Sequence, residues 1–90
     1  MRDARRPRAA SAISKRSMLI AGHPTSISLE EVFWEGLKLV ARDRGLSVAA
    51  LVTEIDESRE AANLSSAIRV FLFNRYKDLV AKTEDRIEAG

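Results

Sequence analysis

The sequence predicts a mainly helical fold carrying a short β ribbon, on three observations. Thr25-Ser26-Ile27-Ser28-Leu29 alternates polar and apolar side chains as a half-buried strand does. Two segments of helical periodicity follow, separated by Gly45-Leu46-Ser47, where a helix-stopping glycine meets a helix-opening serine. A third segment is apolar on more than one face and therefore needs burial on several sides.

Taken in order, residues 1–14 hold Pro7 and several arginines without an apolar period, which predicts a disordered basic arm. Ser17 to Ile20 is a short apolar run and a candidate additional strand (17–20). With Thr25 to Leu29 it could close a hairpin through a four-residue connection, Ala21 to Pro24. Ser28 then stands three residues before Glu31, the spacing of a capping box. The helix it would open runs to Arg44, with Phe33, Leu37, Val40 and Ala41 on one face. Gly36 costs such a helix about 1 kcal/mol relative to alanine, so it should serve a close contact. Ser47 caps a second helix from Val48 to about Glu57, striped by Val48, Leu51, Val52 and Ile55. Asn63 or Ser65 opens a third, to about Lys82, through Ile68, Val70, Phe71, Leu72, Phe73, Tyr76, Leu79 and Val80. The folded unit is thus expected over residues 15–82, with a short polar tail at 83–90.

Ninety residues make one small domain, whose own core is marginal unless something supplements it. Cysteine is absent and His23 is the single histidine, so disulfides and a His/Cys metal site within one chain are not expected. A second subunit remains as the source of buried area, and Ile68, Phe71 and Leu72 of the third helix are candidates for that interface. The longest apolar run, Val70 to Phe73, is far too short to span a bilayer. An Arg/Ser/Ala-rich start also suits a transit peptide, but the default expectation is cytoplasmic. No general base accompanies the serines and threonines, and the glycines are isolated, so neither catalysis nor a bound cofactor is expected.

Charge is unevenly placed. Residues 1–16 carry Arg2, Arg5, Arg6, Arg8, Lys15 and Arg16 against Asp3 alone, while the remainder is mildly acidic. A basic arm of this kind meets nucleic acid through its phosphates, although a solubilising tail would look the same. The strand adds a second pointer. Ile27 and Leu29 share one face and Ser26 and Ser28 the other. Such a strand is not stable alone, so one copy from each subunit would form an antiparallel ribbon. A two-stranded ribbon fits the major groove of double-stranded DNA, where serine hydroxyls can donate or accept.

The succession of Ile27-Ser28-Leu29, a helix with Phe33, Leu37 and Val40, then Gly45-Leu46-Ser47 and a helix through Leu51 and Ile55 resembles ribbon-helix-helix repressors of the CopG/Arc/MetJ kind. Lys15-Arg16-Ser17, Thr25 to Glu30, Phe33-Trp34, Leu51 to Asp56 and Asn63 to Val70 are similar to the short ribbon-helix-helix proteins of alphaproteobacteria, a likeness spanning roughly residues 15–77. The resemblance implies an intertwined homodimer with an extra C-terminal helix, its core formed by Ile27, Leu29, Phe33, Leu37, Val40, Leu51 and Ile55. It implies base contacts from Ser26 and Ser28, with Pro24 before them, and a DNA phosphate at Gly45, Ser47 and Val48, where helix amides are free. It implies a nucleoid-associated transcriptional repressor. The alternative is an antitoxin or other module that binds a protein partner through its C-terminal helix. One departure matters: the outward strand positions lack the long side chains that read guanine or adenine bidentately.

Overall fold

A computed structural model describes residues 9–60 and 63–89. Two antiparallel strands, β1 (Ile13–Ile20) and β2 (His23–Glu30), precede three helices, α1 (Glu31–Arg44), α2 (Val48–Ser58) and α3 (Leu64–Ala89). Of the expected arm, residues 1–8 lie outside the described residues, and the chain turns at Ala9 to Ala12 before entering β1. The candidate strand at 17–20 is the end of a longer one. α3 continues past Lys82 through most of the expected tail.

The strand around Thr25 to Leu29 finds its partner within the chain. β1 lies against β2 from Ile13↔Glu30 to Ile20↔His23, joined by Ala21-Gly22. Both linking residues have positive φ, 54° and 84°, the conformation of a two-residue turn that matches strand twist. The four-residue connection expected from sequence is therefore too long, because His23 and Pro24 already belong to β2. In such a hairpin, the pairs beside the turn alternate between bonded and non-bonded. Leu19↔Pro24 is then a non-bonded pair, where the missing proline N–H costs nothing.

The helix boundaries follow from how their end groups are satisfied. Ser28 does not open α1: it remains in β2, and Glu30 occupies the N-cap position without a side-chain cap. The first α1 amides instead donate to main-chain carbonyls, Glu31 to Ala12 (2.8 Å) and Val32 to Ala10 (3.0 Å). Glu31 turns its carboxylate to Ser14 Oγ and to Arg16 rather than completing a capping box. Gly45, at φ 70°, ends α1 with the paired bonds of a Schellman motif, Leu46 to Ala41 and Gly45 to Arg42. Ser47 Oγ accepts from Ala50 N at 3.0 Å and opens α2; Asn63 Oδ1 accepts from Ser66 N at 2.8 Å and opens α3.

One cluster fills the interior. Ile20, Ile27 and Leu29 of the hairpin meet Trp34, Leu37, Val40 and Ala41 of α1, Leu51, Val52 and Ile55 of α2, and Ala67 and Ile68 of α3. Ile27, Leu29, Leu37, Val40, Leu51, Ile55 and Ile68, expected in a dimer core, are thus buried within a single chain. Phe33, Phe71 and Leu72 are half-buried and pack against the same cluster. Trp34, absent from the apolar face expected of this helix, is among the most deeply buried side chains. Its indole N–H donates to Ser14 O at 3.0 Å, so β1 both covers it and satisfies it. Gly36 serves the close contact its presence predicts: a Cβ there would stand 3.4 Å from the Leu72 side chain. Among the described residues, no helix is long and apolar enough to cross a membrane.

Candidate nucleic-acid interface

Opposite residues of an antiparallel pair point to the same face, and successive residues to opposite faces. Ser14, Arg16, Met18 and Ile20 therefore share the inner face with Leu29, Ile27, Thr25 and His23. The outer face carries Lys15 across from Ser28, Ser17 across from Ser26, and Leu19 across from Pro24. All six of these outer residues are exposed. Ser17 Oγ and Ser26 Oγ lie 3.1 Å apart and hydrogen-bond across the strands.

The outer face thus combines a cation, three hydroxyls and two small apolar surfaces. Pro24, Ser26 and Ser28 stand on it as the sequence places them, but the opposite strand belongs to the same chain. Lys15 and Ser17 complete the surface from β1. Sequence reasoning assigns Lys15 to phosphates and overlooks Ser17. The signal that finds both is Ile13-x-Lys15-x-Ser17-x-Leu19, an outward row once the Ala21-Gly22 turn is recognised.

Arg16 has a different setting from Lys15. It lies on the inner face with its guanidinium 4.7 Å from the Trp34 ring centroid and Nη2 3.3 Å from Glu31 Oε1. Burying an arginine stem this way works because the ring accepts the cation and the carboxylate pairs it. A parallel arrangement holds the far end of β2. Arg69 Nε donates to Glu30 Oε1 at 3.0 Å and its guanidinium lies over Phe33 at 5.9 Å. Glu30's own backbone N–H and the Arg69 guanidinium hold its carboxyl below the usual carboxylate range.

The start of α2 lies within one helical turn of residues that brace the hairpin. Ala21 N donates to Thr53 Oγ1 at 3.4 Å, and Thr53 Oγ1 donates to Ala49 O at 2.8 Å. Gly45 and Ser47 are exposed and Val48 is half-buried. Ala50 N is taken by the Ser47 cap and Leu51 N donates to Ser47 O, which leaves the amides of Val48 and Ala49 at the positive end of the helix. Arg2, Arg5, Arg6 and Arg8 lie outside the described residues. The chain that follows them is fixed at the N-terminus of α1 by the Ala10 and Ala12 carbonyls.

The hairpin thus presents a polar outer face with one cation, backed by helices of which α2 opens on free amides. The family described as "Ribbon-helix-helix domain" matches residues 13–76, and the chain belongs to that family. It is in general a family of DNA-binding regulators with a non-enzymatic fold. Among solved structures, the chain is similar to an uncharacterized protein from Bordetella pertussis Tohama I, at 31% identity and a TM-score of 0.68. The likeness covers 88% of this chain and 66% of that one, so the chain spans a little under two thirds of its neighbour's length. No curated protein matches the chain.

Proposed function

We propose that the protein is a sequence-specific DNA-binding transcriptional regulator, a repressor acting as a homodimer in the cytoplasm on the nucleoid. The outer face of the hairpin enters the major groove, with Lys15, Ser17, Ser26 and Ser28 at the base edges. Arg2, Arg5, Arg6 and Arg8 lie along phosphates, and the amides of Val48 and Ala49, behind Gly45 and Ser47, take another phosphate. The observation that carries this reading is the exposed row of Lys15 and three serines on one face of a two-stranded ribbon.

Two paired strands lie about 5 Å apart, which suits a major groove about 12 Å wide. Serine donates to or accepts from any base edge, so three serines alone discriminate weakly. Lys15 changes that, because a long cation reaches the O6 and N7 acceptors of guanine. A site containing guanine opposite Lys15 is therefore the expected preference. Selecting bound sequences from a random DNA library tests it. Enrichment of a guanine-containing motif that disappears with Lys15→Ala supports the reading, whereas unselected sequences from the intact protein contradict it.

One observation favours the second reading, a module that binds a protein partner. α3 carries exposed Val70, Phe73, Tyr76 and Leu79 on its outer surface. Copurification of an unrelated small protein with the native chain would move the function toward that alternative.

A further inference from the structure

The outer face of the hairpin changes character along its length. Lys15 across from Ser28 and Ser17 across from Ser26 are polar rows, whereas the last outward pair before the turn, Leu19 across from Pro24, is wholly apolar in its side chains. Leu19 is 63% exposed, the most exposed large apolar side chain among the described residues. A single exposed leucine is ordinary on a protein surface. This one continues the row of Lys15 and Ser17 and lies beside a second apolar residue, so its position calls for a partner.

We propose that Leu19 and Pro24 form an apolar contact for thymine, closing on the C5-methyl group of one base at the turn end of the DNA site. The inference rests on the regulator reading and deepens it by naming a base that the serines do not select. Chemistry supports it first. On the base edges of the major groove the thymine methyl is the apolar group, and the other edge atoms donate or accept hydrogen bonds. Packing Leu19 and Pro24 against those polar atoms would leave them dry and unpaired, which is costly, while packing them against a methyl is favourable.

The pair is also held in place without DNA. Ile20, the next residue, is 4% exposed and anchors the end of β1 in the core. Ala21 N donates to Thr53 Oγ1 at 3.4 Å, which ties the turn to α2, and the ring of Pro24 fixes its own φ. Little freedom is lost when such a surface meets a base. The opposite end of the face lacks this suitability. There Ile13 is exposed too, but it stands across from Glu30, whose carboxylate Arg69 holds at 3.0 Å. Entry of that end would carry an acid toward the phosphates. Spacing then places the thymine relative to the guanine of Lys15. Lys15 and Leu19 lie about 14 Å apart along β1 at the usual strand rise, which corresponds to roughly three to four base pairs.

The test uses a duplex selected by the native chain from the random library, and the same duplex with each thymine replaced in turn by uracil, which lacks only the C5-methyl. The native chain is expected to lose about fourfold in affinity, the worth of one buried methyl group, at one thymine roughly three to four base pairs from the guanine. In Leu19→Ala the penalty for uracil at that position disappears, while the preference for guanine stays. Leu19→Ser serves as a second variant should alanine disturb the hairpin, and circular dichroism checks both. A selected site without a thymine at that distance overturns the proposal. So does a native chain indifferent to uracil, or a penalty of equal size in the folded variants. In each of these cases a guanine motif that depends on Lys15 leaves the regulator reading standing. A native chain that selects no sequence defeats that reading, and this inference with it.

Discussion

Lys15 and Arg16 are adjacent cations with opposite duties, and the period-2 geometry of a strand separates them. Lys15 faces outward, where the proposed regulator would use it for discrimination. Lys15→Ala is expected to weaken binding to the selected site by about 1–3 kcal/mol while changing binding to unrelated DNA far less. Competition titrations against both DNAs check this. Arg16, stacked on Trp34 and paired with Glu31, holds β1 to α1. Arg16→Ala should lower unfolding free energy by about 1 kcal/mol, measured by denaturant titration, because packing is lost as well as charge. Glu30 gives a pH signature. Its depressed pKa makes its contribution present at neutral pH and lost as pH falls through the folded value, below the usual carboxylate range. Glu30→Gln should therefore flatten the acid side of the stability profile, as followed by chemical denaturation across the acid range.

At the scale of elements, the Ala21-Gly22 turn decides the fold's ribbon. Ala21 sits at φ 54°, a conformation that costs a residue with a Cβ about 1 kcal/mol. Ala21→Asn should raise the melting temperature by a few degrees, since asparagine tolerates this conformation and the pairing register stays fixed. A fall in melting temperature would show that the turn is not of the tight two-residue form. Much of the helical layout was legible: Gly45 and Ser47 punctuate α1 and α2, and the stripes through Leu37, Val40, Leu51 and Ile55 mark buried faces. β1 was only half legible, for a physical reason. Its inner row reads Ser14, Arg16, Met18, Ile20, so the half nearer the N-terminus puts a hydroxyl and a guanidinium toward the core and hides the alternation. Those two side chains are accommodated by Glu31 and Trp34, residues far along the chain that no local pattern announces. The same long-range claim on Glu31 explains why a capping-box spacing produced no capping box.

For the whole molecule, the hairpin and the three helices share one buried cluster within a single chain. The candidate interface was legible only in its β2 half, because Ser26 and Ser28 alternate cleanly whereas Lys15 and Ser17 join them through the hairpin. In the proposed regulator the arm would contribute affinity without sequence. Deleting residues 1–8, while keeping the Ala10 and Ala12 carbonyls that bind α1, should weaken binding to all DNA and leave the fold intact. The slope of log affinity against log salt should become shallower by roughly 0.9 for each phosphate that the arm no longer neutralises. An unchanged slope would reduce the arm to a spacer.

Base recognition by the outer hairpin face is the central claim, and one comparison reaches it directly. Affinity for the selected site and for unrelated DNA is measured for the native protein and for a Lys15→Ala, Ser26→Ala, Ser28→Ala triple variant, with unfolding followed in parallel. The prediction is that the variant folds as the native chain does, keeps its affinity for unrelated DNA, and loses its preference for the selected site. A folded variant that still prefers that site would contradict the assignment of base recognition to this face.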